Sequence, residues 1–177
     1  MSITRERLKG AYSEGEALAI YREVNQTCDF VGFARAFMHD ADYQVARNCL
    51  WGLTKATDEE LQQLQPMLHE FIDLALTAEN SSVRRLSLNV VERLRMEEDD
   101  LRTDFLDFCL EHMQDVNEYP GIQSLAMKLA YRMARFYPEL MGELLRTAEG
   151  MEVEYYKPAV LSVRTRLLRG SLKDRWQ

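Results

Sequence analysis

Residues 80–91 read NSSVRRLSLNVV, and this stretch indicates the fold of the whole chain. Its small and apolar residues Val83, Ser87, Val90 and Val91 lie four, seven and eight positions from the first of them. That spacing places them on one face of an α-helix. Such a face must be covered by other elements of the chain.

The pattern recurs at intervals of 38, 39 and 37 residues, starting from an anchor residue in each of four copies: Val45, Val83, Ile122 and Ala159. Four residues after each anchor stands a small or medium side chain: Cys49, Ser87, Ala126 and Val163. Small side chains at fixed positions allow helices to approach closely. A helical hairpin of this length cannot bury its apolar face alone, so the copies are expected to stack. The last copy departs from the pattern at Arg166, as expected where a terminal repeat faces solvent.

More acidic helices alternate with these four. Residues 58–77 and 98–114 each show apolar residues at helical spacing, and acidic residues crowd the start of the first segment, where Thr57 or Asp58 can cap the helix. Pro66 is expected to kink the first of these helices, because proline lacks the amide hydrogen and crowds the preceding turn.

Three of the repeated segments, DYQVARNCLWGL (42–53), NSSVRRLSLNVV (80–91) and YPGIQSLAMKLA (119–130), resemble the HEAT family of helical repeats. Arg84 follows its valine directly, as in the family pattern Asp-x-x-Val-Arg, whereas Ala46 and Gln123 stand at that position in the other copies. The resemblance implies an all-α fold, a right-handed α-α superhelix (a short solenoid) of about four helical hairpins with an N-terminal helical cap at 3–24. We expect one domain over 1–177, with repeats at 27–56, 58–96, 98–136 and 138–169 and a frayed tail at 170–177.

The charges are sorted between the two kinds of helix. The second-helix segments 41–56, 80–95, 118–136 and 154–169 are each net positive, while the first-helix segments together are net negative. In the family the second helices line the concave face, so we expect a basic ladder along it that consists of Arg47, Trp51, Lys55, Arg85, Asn89, Arg93, Lys128, Arg132 and Arg169. Four of these residues, Lys55, Arg93, Arg132 and Arg169, stand ten positions after each anchor. Such cations can bind an anionic partner, or can only complement helix C-termini and bridge to acids of neighbouring helices.

The sequence does not contain a reaction centre that we can assign. His39, His69 and His112 are isolated, the segment HDAD (39–42) falls in an expected loop, and the usual phosphate-loop, dinucleotide and nucleophile motifs do not occur. We therefore expect no metal, no cofactor and no catalytic residue, and favour the absence of enzymatic activity without excluding it.

Cys28, Cys49 and Cys109 are odd in number and widely spaced, which favours reduced core residues in a cytoplasmic protein.

Two functions follow from these features. The first is a cytoplasmic scaffold or adaptor that binds a protein, or an acidic or phosphorylated peptide, on its concave basic face. The alternative is a nucleic-acid-binding protein, because some HEAT-like proteins are DNA glycosylases for alkylated bases with a cationic concave face. Such an enzyme also needs aromatic residues and a carboxylate in the groove, for which the chain offers Trp51 and Glu92.

No apolar run approaches the ~20 residues that cross a bilayer, so no membrane partner is expected. The oligomeric state stays open.

Overall fold

The computed structural model describes residues 3–177, and these residues form helices and turns without a strand. The all-α fold class is therefore confirmed. The chain divides into two compact units, the N-terminal unit ending at Leu94 and the C-terminal unit beginning at Arg95. That the whole chain acts as one domain stays a prediction.

The N-terminal unit begins with two capping helices and continues with two helical hairpins. Its helices are α1 (Arg5–Lys9), α2 (Glu14–Thr27), α3 (Phe30–Phe37), α4 (Tyr43–Thr54), α5 (Asp58–Leu61), α6 (Leu68–Thr77) and α7 (Ser81–Arg93). Helix α4 packs against α1, α2, α3 and α7, which makes it the centre of the unit. The expected N-terminal helical cap is present as α1 and α2, and a capping box between Ser13 and Glu16 starts α2.

Pro66 interrupts the first helix of the second hairpin, as the sequence predicts. Helix α5 ends at Leu61, a 3₁₀ segment runs over Gln62–Met67 with Pro66 inside it, and α6 begins at Leu68. Thr57 caps α5 and forms a capping box with Glu60. The tighter 3₁₀ turns accommodate the missing amide hydrogen of the proline.

The C-terminal unit contains two further hairpins. Its helices are α8 (Thr103–Gln114), α9 (Pro120–Ala134), α10 (Pro138–Glu149) and α11 (Pro158–Leu168), with short 3₁₀ segments at Glu98–Asp100 and Val153–Tyr155. Helix α9 packs against α8, α10 and α11. Proline stands at the first position of α9, α10 and α11, where its fixed φ suits a helix start and its lack of an amide hydrogen costs nothing.

In the first three copies the repeated positions lie in the core, as their spacing predicts. In α4, α7 and α9 the anchor residue and the residues four and eight positions later are all buried. In α11 the anchor Ala159 is exposed, but Val163 and Leu167 are buried. A methyl group on Gly52 of α4 would lie 3.1 Å from Ile20 of α2, so the small residue at that position allows the capping helix to approach closely.

The tail 170–177 is packed rather than frayed, which corrects the expectation. Leu172 is buried, and the side chain of Asp174, only 5% exposed, pairs with Arg132 and Arg135 of α9. The guanidinium of Arg95 lies 4.4 Å from the centre of the Trp176 ring. The short polar tail carried no helical periodicity, so the sequence did not reveal that it folds back on its own unit.

The three cysteines do not share one environment. Cys49 and Cys109 are buried as expected, but Cys28 is exposed at the end of α2, with a left-handed φ of 54°. The prediction that all three lie in the core was therefore wrong for Cys28. Burial raises the pKa of Cys49 and of Cys109 far above the ordinary range of a thiol, so both stay protonated at neutral pH.

We expect an excess of a thiol reagent at neutral pH to modify only Cys28 in the folded protein. The thiolate is the reactive species, and the buried thiols are both protonated and shielded. Mass spectrometry should show one adduct before unfolding and further adducts in denaturant. The Cys28→Ser variant is the control, since it should remain unmodified while folded. Rapid modification of Cys49 or Cys109 without denaturant would contradict this prediction.

Candidate functional site

Four cations of the ladder lie at the C-terminal ends of the second helices, as their repeat position predicts. Arg93 is the last residue of α7, Arg132 lies in the last turn of α9, and Lys55 and Arg169 are the C-cap residues of α4 and α11. Cations at these positions favour the negative end of the helix dipole. Their contacts nevertheless differ, and the contacts decide which of them can reach a partner.

Arg93 is engaged within the N-terminal unit. Its guanidinium donates to the carbonyl oxygens of Thr54 and Ala56 at 3.0 and 2.6 Å, and to the carboxylate of Asp58 at 3.0 Å. These acceptors lie at the turn between α4 and α5, so Arg93 joins the end of α7 to the end of the preceding second helix. With 17% of its side chain exposed, Arg93 serves the packing of successive repeats.

Arg132 is buried in the C-terminal unit, with 1% of its side chain exposed, and its Nε atom lies 2.9 Å from Asp174. A side chain enclosed in this way does not line a surface groove.

Lys55 contacts Glu14 at 2.6 Å and, through this hydrogen bond, lowers the pKa of that carboxyl group. Arg169 is exposed and forms no ion pair among residues 3–177. Repeat position alone therefore does not predict which cation is available.

Three other ladder residues lie together around one surface cavity. Arg47 and Trp51 of α4 and Arg85 of α7 line a cavity of about 310 Å³. Tyr12 and Leu86 complete its lining, and we call this cavity the Arg47–Arg85 pocket. Two guanidinium groups and two aromatic rings thus share one concave surface.

Neither arginine of the Arg47–Arg85 pocket forms an ion pair in the part of the chain that the structure describes. Arg47 donates from Nε to Asn48 Oδ1 at 3.1 Å and lies 5.8 Å from the centre of the Tyr43 ring, and Arg85 is exposed. Asn48 is buried and its amide nitrogen donates to the carbonyl oxygen of Leu8 at 2.6 Å. The contact with Asn48 therefore ties Arg47 to α1, while its remaining donors can face an anion.

The other two ladder residues are not part of this pocket lining. Asn89 lies one turn after Arg85 on α7 and is half-buried, and Lys128 is half-buried on α9 in the C-terminal unit.

Two residues of the pocket lining, Tyr12 and Leu86, were not predicted from the sequence. Tyr12 lies between α1 and α2 and is 69% exposed, and only the packing of these capping helices on α4 brings it to the pocket. Leu86 is a neighbour of Arg85 in the chain, so the helical pattern around Arg85 was the one available signal.

The carboxylates of the segment 39–42 serve the fold. Asp40 accepts two hydrogen bonds from Arg5 at 2.8 and 3.0 Å, and these bonds hold the pKa of Asp40 below its usual value. Asp42 caps α4 and contacts Lys9 at 3.1 Å. Among residues 3–177, no group of three or more His, Cys, Asp or Glu side chains is arranged to hold a metal ion.

A larger cavity of about 470 Å³ lies where the α3–α4 and α6–α7 connections meet. Its lining includes Asp40, already bonded to Arg5, and Asn80, whose side chain caps α7. Two of its polar groups are thus used by the fold, whereas neither arginine of the Arg47–Arg85 pocket forms an ion pair within the described residues, so the smaller pocket is the stronger candidate for ligand binding. Within the described residues, no helix has the length and apolar character required to cross a bilayer.

Comparison with known proteins agrees with the repeat architecture. The family model described as a HEAT repeat domain matches residues 4–171. Neither a curated protein nor a solved structure gives a match. The family match covers both helical units and all four copies of the repeat. The chain belongs to the HEAT repeat family.

Proposed function

We propose that this protein is a non-enzymatic interaction module that binds an acidic segment of a partner protein in the Arg47–Arg85 pocket. The observation that carries the proposal is that two arginines without ion pairs line one cavity together with Trp51 and Tyr12. HEAT repeat proteins commonly mediate protein interactions. The chemistry of the pocket supports an anionic ligand at the second helices of the N-terminal unit.

The pocket suits a carboxylate or phosphate group. A guanidinium donates in a fork that matches both anions, and charge-assisted hydrogen bonds are stronger than neutral ones. Trp51 and Tyr12 offer aromatic surface to the apolar part of a bound segment, and such residues are enriched at interaction sites. Since the residues lining the pocket include no carboxylate, a cationic ligand would find no counter-charge there.

We expect the double variant Arg47→Glu/Arg85→Glu to bind an acidic phosphopeptide at least about 100-fold more weakly than the wild type, because it loses two charge-assisted contacts worth about 1.5–3 kcal/mol each. Fluorescence anisotropy of a labelled peptide with alternating phosphoserine and glutamate residues measures the change. The variant Arg166→Glu/Arg169→Glu is the matched control, because it has the same change in charge on exposed residues at the C-terminal end of α11. Equal loss in both variants, or no binding by the wild type, would contradict the proposed function.

Nucleic acid is the alternative anionic ligand, because Trp51 and Tyr12 beside two arginines could also stack on exposed bases. Labelled single-stranded DNA, duplex DNA and RNA, titrated at about 50 and 200 mM salt, distinguish this alternative. Salt-sensitive binding that exceeds phosphopeptide binding and is lost in Arg47→Glu/Arg85→Glu would favour it. A base-excision enzyme would additionally need a carboxylate near the bound base, and the pocket lining offers none.

A further inference from the structure

Two connections of the C-terminal unit lie side by side: the one between α8 and α9 and the one between α10 and α11. The hydroxyl group of Tyr156, in the second connection, donates to the carbonyl oxygen of Gln114 at the end of α8. Burial, followed by the nearby carboxylates of Asp115 and Glu152, raises the pKa of Tyr156, and the guanidinium of Arg164 in α11 opposes this shift. The hydrogen bond to Gln114, the residue directly before the first connection, makes the two connections neighbours in space.

The surface of these neighbouring connections exposes large apolar side chains. Val116 and Tyr119 are 49% and 60% exposed in the first connection, and Val153 and Tyr155 are 50% and 61% exposed in the second. The hydroxyl groups of Tyr119 and Tyr155 have no hydrogen-bond partner among residues 3–177. In contrast, Tyr137 of the same unit bonds to Glu98 through its hydroxyl group. Exposed apolar patches with a polar rim are typical of interaction sites.

The rim of this surface is acidic. Asp115, Glu152 and Glu154 are exposed and form no ion pair within the described residues. Lys157 is the single lysine or arginine in the two connections, and the nearby Arg164 of α11 donates from Nε to the carbonyl oxygen of Ala148 at 2.8 Å. We call these seven residues the tyrosine–acid surface: Asp115, Val116, Tyr119, Glu152, Val153, Glu154 and Tyr155.

We propose that the tyrosine–acid surface docks a basic segment of a partner protein, one in which lysine or arginine residues alternate with aliphatic ones. The aliphatic stems of such cations pack on tyrosine and valine while their charged ends reach the carboxylates. Electrostatic complementarity selects a basic partner and disfavours acidic segments and nucleic acid. The site is separate from the Arg47–Arg85 pocket in residues and in sign of charge, so the chain would join two partners of opposite charge.

The test uses the full-length protein and three labelled peptides in fluorescence anisotropy. The first peptide alternates lysine with leucine, the second has serine in place of each leucine, and the third has glutamate in place of each lysine. The first is expected to bind at least about tenfold more tightly than either of the others, because both the charge and the apolar contacts contribute.

Two variants locate the binding. Glu152→Lys/Glu154→Lys and Tyr119→Ser/Tyr155→Ser should each weaken the first peptide about tenfold or more. All four residues are exposed, so unchanged circular dichroism and melting temperature are expected. Glu139→Lys/Glu143→Lys, with the same change in charge on exposed residues of α10, should bind the first peptide as the wild type does.

Several outcomes would overturn the proposal. Equal binding of the lysine–leucine and lysine–serine peptides would show a nonspecific charge effect, and unchanged binding by Glu152→Lys/Glu154→Lys would place the peptide elsewhere. Sedimentation velocity tests for a second copy as the occupant. Self-association that disappears in both Arg47→Glu/Arg85→Glu and Glu152→Lys/Glu154→Lys would identify the acidic surface as a ligand for the pocket of another copy, and the proposal of a separate basic partner would fail.

Discussion

Replacing Arg132 with methionine is expected to lower the free energy of unfolding by about 3–5 kcal/mol. Arg132 is 1% exposed and its Nε atom lies 2.9 Å from Asp174, whose side chain is 5% exposed. Without the guanidinium, the longer contact of 3.4 Å with Arg135 is the one ion pair that residues 3–177 leave to the buried carboxylate. The penalty for a poorly compensated buried charge, rather than the attraction of the original pair, accounts for most of this loss.

Urea unfolding followed by circular dichroism measures the change. The exposed Arg169, at the same repeat position, provides the matched control, and Arg169→Met should change the free energy of unfolding by less than about 0.5 kcal/mol. The double variant Arg132→Met/Asp174→Leu removes both charges and should recover most of the lost stability. A loss below about 1 kcal/mol in Arg132→Met, with no recovery in the double variant, would show that this pair does not anchor the tail.

Replacing Arg93 with methionine is expected to lower the free energy of unfolding by about 2–4 kcal/mol. The guanidinium makes three hydrogen bonds at the turn that follows α4, and the variant loses them. The methionine stem preserves most of the packing volume, but the carbonyl oxygens of Thr54 and Ala56 lose their donors. The partial exposure of Arg93 and of Asp58 places this loss below the one expected for Arg132.

Lys55 is the control for Arg93, since it has the same repeat position and its partner Glu14 is 78% exposed. Lys55→Met should lower the free energy of unfolding by less than about 1 kcal/mol, as is usual for an ion pair near the surface. Urea unfolding compares the two variants, and hydrogen exchange at the amides of residues 54–57 reports on the turn itself. If Lys55→Met destabilised the protein as much as Arg93→Met, the hydrogen bonds to the carbonyl oxygens would not be the source of the effect.

The contacts of these two arginines show that part of the basic ladder stabilises the fold. Arg93 and Arg132 were expected to contact a ligand or to bridge to acids of neighbouring helices, and the contacts of Arg93 with Asp58 match the second possibility. Arg132 pairs instead with the tail, whose acidic residue follows no repeat. Binding experiments that alter Arg93 or Arg132 would therefore mix loss of stability with loss of affinity, which is why the pocket test uses Arg47 and Arg85.

The amino-acid sequence by itself determined the helical class, the repeat and its buried positions. These features depend on local periodicity, because a residue such as Val83 or Ala126 has its place on a helix set by its spacing from its neighbours. The cap helices and the break at Pro66 are also local, since hydroxyl and carboxylate groups cap the nearest helix start and proline lacks its own amide hydrogen.

Only the tertiary structure decided which polar side chains remain available to a partner. Arg93, Arg132 and Arg169 share one repeat position, yet Asp58 and the α4–α5 turn engage the first, the tail buries the second, and the third is exposed. Tyr12 likewise reaches the Arg47–Arg85 pocket because the capping helices pack on α4. The contacts of a long charged side chain depend on groups that are distant in sequence. The helix face on which a residue lies depends only on its spacing from its neighbours in the chain.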